Sequence, residues 1–220
     1  MNLGDIKTQV KRIFGDESQV QLTDADILMW ANSAQTIFVM NNEGVMEVTG
    51  FASAVKDQME YTLPVDLLVL DTVSYKNTGE LSFFPLRGKS LREFDEYMGG
   101  WDGTTYGSGA PQYFHKYGTK LRLFPPPDAA GTNNIKIYYR KRPVALVVDG
   151  DTPELPEEYH NAIIDYILQR AYFMDEDYEA AQLAANSVDN DLKINREREN
   201  WKHQDVYPSI TVLSDDMDAY

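Results

Sequence analysis

Three short clusters in this chain have residue types that could do chemistry. Gly88-Lys89-Ser90, ahead of a helical pattern, has the closing residues of a phosphate-binding loop. That loop needs a glycine five positions before Gly88, where the chain has Phe83, and Phe84-Pro85-Leu86-Arg87 is too bulky for a backbone cradle. A plain turn with Ser90 as N-cap is the better account. Glu157 and His160 have the spacing of a carboxylate–histidine metal pair on one helical face, but a di-iron bundle needs a second such pair and two more inward glutamates. Glu199 and His203, spaced by four, do not supply it, so Glu157 reads as first-turn polarity. Asp149-Gly150-Asp151 is a fragment of a calcium loop without its third ligand or closing glutamate, and Pro153 interrupts it. The three histidines lie apart, with no serine or aspartate signature around them. No catalytic, cofactor-binding or metal-ligating residue is assigned.

Aromatic residues offer a different chemistry. Tyr61, Tyr75, Tyr113, Tyr117, Tyr138 and Tyr139 fall in strand-like runs, where they pack a sheet and border its edges or, as the alternative, build a carbohydrate-binding face. Trp101 and Tyr106 sit in the glycine-rich run Gly99–Pro111, which reads as a long mobile loop in a monomer and as a natural contact arm in an assembly. At the end of the chain, Trp201–Tyr220 has little of its own to pack on. It reads equally as a frayed tail or as a docking arm, with Trp201, Tyr207, Ile210, Val212 and Leu213 as the arm's candidate contact residues.

The elements that must position these residues come in three blocks. Residues 1–44 carry two amphipathic helices. The first has Leu3, Ile6, Val10 and Ile13 on one seam and Gly15 to stop it. The second opens on Thr23 with Asp26 three residues on, and its apolar face is Ile27, Trp30, Ala31, Ala34, Ile37 and Phe38. Residues 149–200 read as a helical hairpin. Its first helix is apolar on most sides from Tyr159 to Phe173, with Asn161, Asp165 and Gln169 as the main polar stripe, and so belongs at the centre. Its second carries Tyr178, Ala181, Ala185, Val188 and Leu192 as a close-packing seam. Between these blocks, residues 45–148 are rich in Val, Thr and Tyr. Short runs at 45–54, 60–63, 67–76, 82–85, 112–117, 120–124 and 135–142 read as strands, with a helical piece at Ser90–Met98. The expected fold is α+β: a bundle of N- and C-terminal helices, an inserted antiparallel sandwich or barrel-like region, and an extended arm at 201–220.

Composition narrows the function classes. The chain has 220 residues, no cysteine and a net charge of −15 from 35 acids and 20 bases. Nucleic-acid binders release counterions through Lys and Arg, so a protein that grips DNA is disfavoured; one that lets DNA pass without sticking is not. Thiolate chemistry is excluded. No apolar run approaches the roughly 20 residues needed to cross a bilayer, and the first residues lack a signal-peptide pattern, which leads us to expect a protein of cytoplasmic origin.

Several segments in order then resemble a family. These are Thr23–Asn32, Glu60-Tyr61-Thr62-Leu63-Pro64-Val65-Asp66-Leu67-Leu68, Gly109-Ala110-Pro111-Gln112-Tyr113, Leu121-Arg122-Leu123-Phe124-Pro125-Pro126-Pro127, and Leu155-Pro156-Glu157-Glu158-Tyr159-His160. Each alone is turn and cap chemistry. Together, over about residues 20–185, they resemble the head-to-tail adaptor (connector) proteins of tailed bacteriophages, above all the short-tailed, podovirus-like type. The resemblance implies a structural virion protein without an active site or cofactor, made in the host and placed at the neck. It implies a ring, typically dodecameric, docked on the portal protein and joined to tail or nozzle proteins. DNA would pass through that ring without specific binding, and the C-terminal arm would insert against the portal. The rival from another class is a carbohydrate-binding or tail-associated hydrolase module using the aromatic strands.

Overall fold

The computed structural model describes residues 1–16, 21–42, 44–93 and 107–203, without the side chains of 198–203. Four helices and eight strands organise them. Helix α1 spans Leu3–Phe14 and α2 spans Asp24–Asn41. The strands are β1 (Glu47–Ala54), β2 (Glu60–Thr62), β3 (Leu67–Tyr75), β4 (Phe84–Pro85), β5 (Arg87–Gly88), β6 (Tyr113–Tyr117), β7 (Lys120–Phe124) and β8 (Gly131–Lys141). A 3₁₀ turn at Glu157–Tyr159 leads into α3 (His160–Met174), and α4 follows at Tyr178–His203. The fold is mixed helix and antiparallel sheet, α+β as expected.

Local signals set the helix ends. Both N-terminal helices open with capping boxes, Asn2 with Asp5 and Thr23 with Asp26, so two otherwise orphan N–H groups are satisfied at each start. Gly15 closes α1 in the left-handed conformation (φ 84°), donating its N–H to the Lys11 carbonyl at 2.9 Å. Thr23 and Gly15 act as their residue types require.

Helix α3 lies in the middle of the bundle, touching α1, α2 and α4. Its Ala162, Ile163, Ile167 and Ala171 are fully buried, and burying a side chain such as Ile contributes about 1.5–3 kcal/mol. Leu3, Ile6 and Val10 from α1, Ile27, Ala31, Ala34 and Phe38 from α2, and Val188 and Leu192 from α4 complete this core. The seam of α4 is divided: Ala181, Val188 and Leu192 are buried, whereas Tyr178 at its start is exposed.

The insertion forms two sheets. One has the order β1-β8-β3-β4 and the other β2-β7-β6-β5. Every pairing is antiparallel except the two-residue contact of β5 with β6, which is parallel. A second core lies between the sheets, formed by Val73, Tyr75, Ile135, Ile137 and Tyr139 from the first with Tyr61, Leu121 and Leu123 from the other. Strand β8 begins at Gly131, four residues before its β-branched run. Its pairing with Ala54 of β1 accounts for the early start. Residues 91–93 are helical and Ser90 lies just before them, while 94–98 of the expected 90–98 helix lie outside the described residues, as do 99–106 of the glycine-rich run.

Candidate functional site

Each cluster with chemical potential has a side chain in a structural role. His160 is buried, and its Nε2 lies 3.0 Å from the Leu155 carbonyl. A carbonyl only accepts, so Nε2 carries the proton and Nδ1 faces the Met1 amino group at 3.4 Å. Ser90 caps a turn: its Oγ accepts from the Glu93 N–H at 3.3 Å, while its own N–H donates to the Glu93 carboxylate at 2.8 Å. That carboxylate also bonds Lys89, chiefly through which its pKa falls to about 2. Asp151 accepts from the Val147 and Val148 N–H groups at 2.7 and 2.9 Å, and these bonds hold its pKa below the usual carboxylate range. It closes a turn rather than binding an ion. No group of three potential metal ligands occurs among the described residues.

The six strand tyrosines do not share a face. Tyr61, Tyr75 and Tyr139 are in the core between the sheets, while Tyr117 and Tyr138 are exposed. Tyr61 spends its hydroxyl on the backbone of Val55 and Gln58.

Where the two bodies meet, the decisive side chain is Arg140, at the end of β8. Helix α2 has no basic residue in its last turn, so its terminal carbonyls need a donor from elsewhere. The Arg140 guanidinium supplies it, donating to the carbonyls of Val39 (2.9 Å), Met40 (3.1 Å) and Asn42 (3.1 Å). Its other terminal nitrogen pairs with Asp71 of β3 at 3.2 Å. One buried cation thus caps the bundle's second helix while anchored in the sheet. A second tie joins α2 to the segment after β8: Asn32 accepts from the Leu146 N–H at 2.8 Å and donates to the Leu146 carbonyl at 3.1 Å. A third joins α1 to α2: Lys7 and Lys11 converge on Asp24, whose carboxyl is held below its ordinary pKa, first by the Lys11 hydrogen bond.

Among the described residues, exposed aromatic side chains pair at two places. At the turn of the hairpin, Phe173 and Tyr178 meet edge to face, with centroids 5.6 Å apart, above a groove of about 310 Å³ that Arg170, Ala181 and Gln182 also line. On the outer face of the β1-β8-β3-β4 sheet, Phe51 lies 6.2 Å from Phe83, and Lys76 and Lys136 reach over the Phe83 ring at 5.1 and 5.6 Å. Charge divides between the bodies too. Residues 45–148 hold twelve bases and eleven acids, whereas 149–203 hold fourteen acids and five bases.

Both bodies, with the joint between them, fall inside one family match. The model of the SU10 adaptor protein family matches residues 1–208. The chain belongs to that family. No curated protein matches it. As an SU10 adaptor, the chain has the role of a phage adaptor, a structural protein of the particle, and the bundle with its β insertion is the body of that adaptor. No described helix is long and apolar enough to cross a membrane.

The contact residues expected from the adaptor's sequence are not brought together among the described residues. Trp201 falls in the last turn of α4, its side chain outside the description, while Tyr207, Ile210, Val212, Leu213, Trp101 and Tyr106 lie outside the described residues altogether. Sequence reasoning missed Arg140 and the Phe51–Lys136 face. A faint signal for Arg140 existed: an α2 end with no cation of its own, and an arginine in an apolar strand. Nothing local linked the two, because Arg140 and Val39 are 101 positions apart.

Proposed function

We propose that this adaptor assembles as a closed, typically dodecameric ring on the portal protein and joins it to tail or nozzle proteins, leaving a path for genome DNA. The observation that carries this reading is the family match over residues 1–208, which runs through helices, sheets and joint alike. The chain works without catalysis. Its chemistry-bearing side chains are committed to caps and turns, and its exposed apolar groups are available for protein contacts. A net charge of −15 supports a conduit role, since a polyanion sliding past an acidic wall gains no counterion release and is not retained. Trp201, Tyr207, Ile210, Val212 and Leu213, with Trp101 and Tyr106 in the glycine-rich run, supply assembly contacts. The carbohydrate-binding alternative is disfavoured because three of its six tyrosines are interior.

The test is the mass of the purified protein in solution, alone and mixed with its portal. A stoichiometric ring on the portal supports the proposal. A protein that ignores the portal, or that binds glycans as a monomer, defeats it.

A further inference from the structure

Two helix faces of the bundle repeat one pattern. On α2 the outward stripe is Met29, Ser33, Thr36 and Met40, at steps of four, three and four; on α4 it is Leu183, Ser187, Asn190 and Ile194, at the same steps. The large apolar residue at each end of both stripes is exposed, while the opposite sides of the two helices hold Ala31 and Phe38, and Val188 and Leu192, in the core. The α2 face is also ready to lose water. From Ile27 to Asn42 there is no charged residue, in a chain where one residue in four is charged. Ser33 and Thr36 donate their hydroxyls to the Met29 and Asn32 carbonyls of their own helix at 2.9 and 3.1 Å, so covering them strands no donor. On α4, Asp189 and Asp191 lie about 100° around the helix to either side of Asn190, and Glu179 and Glu197 fall beyond the ends of the stripe.

Two bonds within each copy set these stripes level. At the hairpin end the Gln21 amide donates to the Asp175 carboxylate at 3.2 Å, and at the sheet end the Arg196 guanidinium donates to the Asn41 carbonyl at 3.1 Å. The partners are 154 positions apart in the first bond and 155 in the second. Helices α2 and α4 therefore run in the same direction, with Met29 level with Leu183, Ser33 with Ser187, Thr36 with Asn190 and Met40 with Ile194. Both helices pack on α3, and among the described residues they scarcely touch each other, so the stripes look out from different flanks of the bundle.

On the ring reading above, we propose that the Met29–Met40 face of α2 packs against the Leu183–Ile194 face of α4 in the neighbouring copy, as parallel helices with level residues opposed. Copies with a net charge of −15 repel each other, so they meet where acids are absent, and these two stripes are such places. Rotation about an axis preserves height, so in a ring whose bundles stand along that axis the stripe of one copy meets its counterpart in register. The apolar end pairs are then about 16 Å apart, with the smaller serine, threonine and asparagine between them letting the backbones approach. Pairing α2 with α2, or α4 with α4, is isologous and stops at a dimer, whereas α2 with α4 is heterologous and propagates.

The cysteine-free chain permits a clean test. Packed helices have axes about 8–10 Å apart, which brings opposed side chains within reach of a short bismaleimide. Full-length protein carrying both Thr36→Cys and Asn190→Cys, mixed with portal and treated with that reagent, should give a covalent ladder of adaptor multimers on a denaturing gel. The two single variants mixed in equal amounts should give a covalent dimer and nothing larger, and either one alone should give no bridge. Met40→Glu should cut the yield of ring on the portal several-fold; adding Ile194→Lys should restore it, and adding Leu183→Lys, at the far end of the stripe, should not. Met40 is exposed, so the urea midpoint of the free variant should match the parent's, which separates a lost contact from a lost fold. A ring without the ladder, a dimer from either single variant alone, a yield unmoved by Met40→Glu, or equal rescue by Leu183→Lys would each overturn the inference and leave the ring standing. Absence of any ring of parent protein in the mass measurement overturns the ring reading itself, and this contact with it.

Discussion

Replacing Arg140 by methionine tests whether one side chain joins the bundle to the sheets. The change keeps the apolar stem and removes the guanidinium. Two of its three carbonyl partners, on Val39 and Asn42, are buried and would lose their donor, while Met40 is exposed enough to find water. A buried carbonyl left without a partner costs about 1–3 kcal/mol. Asp71 is a third exposed and rehydrates, so its lost pair adds less than about 1 kcal/mol. Against this, the Arg140 Nε is itself buried without a hydrogen bond, and its removal returns about 1 kcal/mol. The net expectation is a loss of about 3 kcal/mol, a large part of the roughly 5–15 kcal/mol that holds a typical domain folded. Urea titration followed by far-ultraviolet circular dichroism and by tryptophan emission reads this directly. Because Trp30 packs on the bundle core, the two probes should also separate once the joint is cut. Asp71→Asn serves as the control and should cost under about 1 kcal/mol. If Arg140→Met unfolds within about 1 kcal/mol of the parent, with coincident probes, the guanidinium is not the joint and the reasoning fails.

Two further expectations concern the bundle. Ile163, fully buried where α3 meets its neighbours, should cost about 3–4 kcal/mol on truncation to alanine, read as a shift in the urea midpoint with unchanged slope. Asp165 on α3 has its pKa raised, first by burial, although the Ser187 hydroxyl donates to it at 2.6 Å. A raised carboxyl pKa means the folded state holds the proton more tightly, so ionisation weakens folding as pH rises through the carboxylate range. Asp165→Asn should therefore stabilise the protein at pH 7 and lose that advantage near pH 4; an equal effect at both values would contradict the assignment.

The resemblance drawn from five short segments and the family match agree, and the agreement has a physical basis. Caps, turns and helix stripes are local, and Thr23 with Asp26, Gly15, and the apolar sides of 159–173 do in the fold what their types require. The central place of α3 was legible for the same reason, since a helix apolar on most sides must be surrounded. Side chains that bridge distant parts of the chain were not legible. The partition of the tyrosines between core and surface depends on which sheet face each strand turns inward, and that is decided by the pairing of β8 with β1 and β3 in one sheet and of β7 with β2 and β6 in the other. Arg140 reads in sequence as one cation in a strand. It becomes the cap of a helix 98–101 positions away because burial leaves the Val39 and Asn42 carbonyls in need of a donor. The sequence by itself determined the elements and the family to which they belong. Tertiary structure decided which polar groups meet and which helix faces stay open, because burial and hydrogen-bond satisfaction are properties of the packed chain.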